Sequence, residues 1–123
     1  MKDRKRGNIV TLSSAAARRA NGISPMAYAA AKAGIEVFTQ HLAAQVGPWN
    51  IRANCIAPET ILTERNVQQI PEELKRQLIE SRPLKRLGTP EDVAQAALFL
   101  VSDAASWITG IILDIAGGAV MTR

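Results

Sequence analysis

Two spacings of apolar residues alternate along the chain. "NIVTL" is a β-branched and apolar run between Gly7 and the serine pair Ser13 and Ser14, and it predicts a buried strand over residues 8 to 13. From Ser24 the spacing lengthens. Ile35, Phe38, Leu42 and Val46 recur at helical intervals until Gly47 and Pro48, which predicts a helix over residues 25 to 46 with Ser24 as N-cap and Pro25 as its first residue. "IRANCIA" (51 to 57) predicts a second buried strand, closed by Pro58, and "PEELKRQLIESRP" (71 to 83) contains a short polar helix. "TPEDVAQAALFLVSD" opens a helix over residues 90 to 102, with Thr89 as N-cap, Pro90 at N1 and Asp92 as the acidic half of a capping box. "GIILDIAGG" supplies a third strand, over residues 110 to 115, before a glycine turn. Strands alternating with helices in this way predict an α/β fold with a parallel sheet and right-handed crossovers.

Composition narrows the class without changing that picture. A chain of 123 residues, 47% hydrophobic and 21% charged, is about one globular domain and can bury a core. No apolar run approaches the ~18 to 20 residues that span a bilayer. The start, "MKDRKRGNIV", lacks the apolar centre and small-residue cleavage site of a secretory signal, so the expected compartment is the cytoplasm. The formal charge is +4, but Lys2, Arg4, Lys5 and Arg6 against Asp3 carry most of it, with no aromatic residue interleaved for base stacking. Nucleic acid is therefore not the expected partner. The single cysteine, Cys55, sits in an apolar run and is read as a small buried hydrophobe. His41 has no Cys or Asp at ligand spacing, and no metal site is read.

One short stretch carries candidate chemistry. In "SPMAYAAAKAG", Tyr28 and Lys32 stand four apart, so phenol and ammonium share one face in the first turns of the long helix. By themselves they admit two readings, a packed ring beside a solvated amine or a pair aimed at one reacting atom.

In order along the chain come "NIVTLSS", "YAAAK" with its tyrosine fourteen residues after Ser14, "IRANCIAP" with a threonine five past the proline, "TPEDVAQAALFLVSDAASWITG" and "DIAGG". This ordered set resembles the C-terminal half of a short-chain dehydrogenase/reductase and covers essentially the whole chain. The resemblance implies that residues 1–123 are the C-terminal part of a Rossmann-like doubly wound parallel sheet, the catalytic and substrate-side half of a domain. It also implies hydride transfer between NAD or NADP and a small carbonyl or alcohol substrate. The family's catalytic Ser, Tyr and Lys fall on Ser14, Tyr28 and Lys32, with Ser13 as rival for the serine and one extra residue in the following loop. A fixed ammonium beside a phenol favours the phenolate, which suits proton exchange with the substrate oxygen. The same resemblance implies cofactor contacts from Tyr28, Lys32, Pro58, Ile61 and Thr63. Thr63 also fits an N-cap, and Glu59 stands where the family commonly has Gly after the proline, which disfavours a close backbone approach there.

Residues 64 to 86 correspond to the variable substrate cover, where Glu64, Arg65, Arg76 and Arg82 are candidates to shape selectivity and most are expected to be solvated. Trp107 is expected in packing or at a subunit contact, and the resemblance implies a homo-oligomer for the full-length protein. The chain has no glycine-rich strand-to-helix turn for a pyrophosphate. The resemblance therefore places the cofactor-binding half before residue 1, and implies a truncated chain that is inactive alone. A different class of function stays open: a non-catalytic piece that pairs with another subunit.

Overall fold

The computed structural model describes residues 1–121. Six principal elements follow one another: β1 (Gly7–Leu12), α1 (Met26–Val46), β2 (Ile51–Pro58), α2 (Glu72–Glu80), α3 (Pro90–Val101) and β3 (Ile112–Ile115). The strands form one sheet in the order β1-β2-β3, parallel throughout, with Gly7 opposite Ile51 and Cys55 opposite Ile112. The ladder runs slightly past the strand ends, because Ser13 N–H donates to the Ile56 carbonyl at 2.8 Å and Cys55 N–H to the Ile111 carbonyl at 2.9 Å.

β2 is the centre of the core. Paired on both sides, it buries Ala53, Cys55, Ile56 and Ala57 completely, as a strand in a two-faced parallel sheet should. Side chains alternate across a strand, so Asn8 and Thr11 point to opposite faces of β1. Thr11 Oγ1 meets Thr39 Oγ1 of α1 at 2.6 Å, and Asn8 Nδ2 donates to the Val101 carbonyl of α3 at 3.1 Å. The two helices thus cover opposite faces of the sheet.

α3 begins as the sequence predicts. Thr89 Oγ1 accepts from Asp92 N–H, the Asp92 carboxylate accepts from Thr89 N–H at 2.8 Å, and Pro90 fills the first turn. The start of α1 differs by one position: Pro25 is the N-cap, without a side-chain bond, and Ser24 lies outside the helix. The reason is Asn21. Its carboxamide accepts from Ser24 N–H at 2.7 Å and donates to Ser24 Oγ at 3.1 Å, closing a turn that engages the serine before the helix starts. The buried stripe of α1 is Glu36, Thr39, Ala43 and Val46, whereas Phe38 is exposed. Trp107 is almost fully exposed. Among the described residues no helix is long and apolar enough to cross a membrane.

Candidate active site

β1 and β2 end side by side, and the residues just beyond them face a cavity of about 570 Å³. Ser14, Tyr28 and Pro58 line it together, Ser14 from the turn after β1, Tyr28 from the first turn of α1 and Pro58 from the end of β2. Open parallel sheets place ligands at this carboxyl edge. Tyr28 is about half exposed, so its phenol reaches the cavity. Lys32, one turn further along α1, holds its ammonium 5.7 Å from the centre of the Tyr28 ring and donates to the Leu12 carbonyl at 3.0 Å. That bond ties the ammonium to the strand end that precedes the serines.

The two serines are separated by their bonding. Ser13 is buried, and its hydroxyl lies 2.8 Å from Glu36 Oε1 and 3.1 Å from the Lys32 carbonyl, both acceptors, so its one proton is engaged inside the fold. Ser14 Oγ accepts from Ala16 N–H at 3.2 Å, which leaves the Ser14 proton for a ligand. Among the described residues no hydrogen bond joins Ser14 directly to Tyr28.

From the turn after β1, Arg18 clasps two elements, α1 and β3. Its Nε lies 3.2 Å from Glu36 Oε2 on α1, and its two terminal nitrogens form a bidentate pair with Asp114 of β3, one of them at 3.0 Å. The Asp114 hydrogen bond, opposed by burial, raises the guanidinium above its ordinary pKa. Nothing in the spacing of Arg18, Glu36 and Asp114 predicts this clasp; the one local signal is an acid, Glu36, within an apolar stretch of α1.

Ile61 and Thr63 lie apart from the wall shared by Ser14, Tyr28 and Pro58. Ile61 bridges to Gly88, and its carbonyl accepts from Asn66 Nδ2 at 2.7 Å. Thr63 Oγ1 accepts from Asn66 N–H at 3.2 Å while Asn66 Oδ1 accepts from Thr63 N–H at 2.7 Å, a reciprocal cap of the kind its sequence position allows. Glu59 donates its N–H to the Ile115 carbonyl at 3.1 Å and pairs its carboxylate with Arg82. Of the four charged residues expected to be mostly solvated, Arg82 is an exception at 3% exposed, because Glu59 neutralises it and the Leu78 carbonyl accepts from it. Arg76 is exposed and pairs along α2 with Glu73 and Glu80.

The family described as Enoyl-(Acyl carrier protein) reductase matches residues 1–120. The 7alpha-hydroxysteroid dehydrogenase of Escherichia coli is 43% identical over 114 residues, which are 93% of this chain and 44% of that protein. A 3-oxoacyl-[acyl-carrier protein] reductase from Brucella melitensis superposes with a TM-score of 0.93 at 41% identity, covering 99% of this chain and 45% of the other. A 7alpha-hydroxysteroid dehydrogenase complexed with NADH and 7-oxo glycochenodeoxycholic acid superposes with a TM-score of 0.89 at 41% identity, covering 98% and 47%. The chain therefore spans somewhat less than half the length of these relatives.

Proposed function

This chain belongs to the short-chain dehydrogenase/reductase family, and from that membership we propose that it carries the proton-transfer and substrate side of an oxidoreductase acting on a small carbonyl or alcohol compound with NAD or NADP. The observation that carries the reading is the cavity at the carboxyl edge of the sheet, where a half-exposed Tyr28 and Ser14 share one wall and the Lys32 ammonium lies under the phenol ring.

In the reducing direction the substrate carbonyl oxygen lies at Tyr28 and Ser14. The Ser14 proton, uncommitted within the fold, donates to that oxygen and orients the carbonyl. Tyr28 passes its phenolic proton to the same oxygen as negative charge develops there, and Lys32, fixed by the Leu12 carbonyl, stabilises the phenolate left behind. The nicotinamide, when bound, supplies or accepts the hydride. The residues present suit its nicotinamide end: Lys32 offers a cation for ribose hydroxyls, Tyr28 and Pro58 face the same cavity, and Thr63, whose oxygen is engaged by Asn66, keeps a proton to donate. Ile61 contributes less, since its carbonyl is occupied by Asn66. The glycine turn that would hold a pyrophosphate is not among residues 1–123, so the assignment concerns this end of the cofactor alone.

Tyr28→Phe keeps the ring and deletes the proton donor. In the native gene product, with a reactive carbonyl substrate and saturating cofactor, kcat is expected to fall at least ~100-fold with the fold intact; wild-type turnover would leave Tyr28 as a packing residue. A second reading, pairing with another copy of the chain, is favoured by the exposed Val37 and Phe38 on α1 and by Trp107.

A further inference from the structure

The cavity lining divides into an apolar part and a polar part of uneven charge. Leu74 and Leu78, one turn apart on α2, present the same face, and Ile70 extends it. On the polar side stand two ionic groups, Arg19 and Glu59. Glu59 is already neutralised by the buried Arg82. Arg19 is exposed, touches the Ala119 carbonyl through one nitrogen at 3.3 Å, and among the described residues enters no ion pair. The one charge of the lining left without a counter-charge is therefore positive.

We propose that the cavity selects a carboxylate-bearing amphiphile, its anionic group paired with Arg19 and its apolar body laid against Ile70, Leu74 and Leu78. A guanidinium has a planar fork of donors matched to a carboxylate, and only one of the Arg19 nitrogens is engaged within the fold. A cavity of about 570 Å³ holds a medium-sized organic acid. The proposal rests on the reading of this cavity as the substrate site and deepens it, by naming the class of carbonyl or alcohol compound: one that also carries an acid group. Arg19 is then a specificity residue and takes no part in proton transfer.

The test is calorimetric titration of the native protein, without dinucleotide, with octanoate and with octan-1-ol, which share an apolar chain and differ in the anionic group. Octanoate is expected to bind about tenfold more tightly than the alcohol, the difference made by one charge-assisted hydrogen-bonded pair. Arg19→Gln should abolish the preference, Arg19→Lys should retain part of it, and Leu74→Asn should weaken both ligands. Tyr28→Phe should keep the preference even as it removes turnover, so loss of the redox reading and loss of this one are distinguishable. Equal binding of the two ligands, binding of neither, or a preference that survives Arg19→Gln overturns the proposal.

Discussion

Replacing Arg18 with Met removes the cation shared by Glu36 and Asp114 while keeping an unbranched stem of similar reach. The Arg18 Nε lies 3.2 Å from Glu36 Oε2, and Coulomb's law at an effective dielectric constant of about 20 gives roughly 5 kcal/mol for such a contact. Most of that attraction offsets the desolvation of the charges. The larger consequence of the deletion is that Glu36, 8% exposed, remains as a buried carboxylate facing Asp114 without the cation between them. Breaking a fully buried pair costs about 3 to 5 kcal/mol. The Arg18 side chain is 23% exposed, so water relieves part of this, and the expected loss is about 2 to 3 kcal/mol. That is a large share of a total stability on the order of 10 kcal/mol. Urea unfolding followed by circular dichroism should show a lower midpoint with an unchanged slope. Adding Glu36→Gln removes the stranded charge and should restore at least about half of the loss. A loss below about 0.5 kcal/mol, or a Glu36→Gln addition that restores nothing, would refute the view that the clasp is an electrostatic unit.

Two further expectations separate neighbouring groups. Ser13→Ala strips Glu36 of a buried donor and should cost about 1 to 3 kcal/mol in urea unfolding while leaving kcat per folded molecule nearly unchanged; Ser14→Ala should cost about 0.5 to 1 kcal/mol as a lost turn cap and lower kcat about 100-fold. At the start of α3, the Arg86 guanidinium and then the Thr89 backbone hold the Asp92 carboxyl well below the usual carboxylate range. A depressed native pKa stabilises the fold above the ordinary value of about 4 and loses that stabilisation as pH falls further, so thermal melts should decline below about pH 4, and Asp92→Asn should start lower at neutral pH and decline less.

What could be read from the sequence was what short-range chemistry encodes. Thr89, Pro90 and Asp92 form their cap within four residues, and the strand at 51 to 57 declares itself because a centre strand is apolar on both faces. The start of α1 was displaced by one residue because Asn21, outside the predicted helix, competes for Ser24. The stripe of Ile35, Phe38, Leu42 and Val46 located the helix and one buried position, Val46, but Phe38 is exposed and Ile35 and Leu42 are only half-buried, because the centre of the buried face is held by Glu36 and Thr39 through partners on β1 and in the turn after it. Tyr28 and Lys32 were visible as an i, i+4 pair. Arg19 was not, since its meaning depends on Glu59 being neutralised by Arg82, and no local pattern announces that pairing.

The register of the sheet also fixes when the clasp can close. Gly7 pairs with Ile51 across the whole of α1, and Cys55 with Ile112 across α2 and α3, so the sheet is assembled from distant segments, a topology that folds slowly. α1 can form from its own residues, but the Arg18–Asp114 bond joins positions 96 residues apart and must wait until β3 has docked. If β3 docks after the folding barrier, the bond stabilises the native state without easing the climb, and its energy appears mainly in the unfolding rate. On that order of events the clasp would govern how long, once folded, the chain keeps Ser14 and Tyr28 facing the same cavity, more than how quickly it brings them there, and Arg18→Met would raise the unfolding rate while leaving the folding rate nearly unchanged.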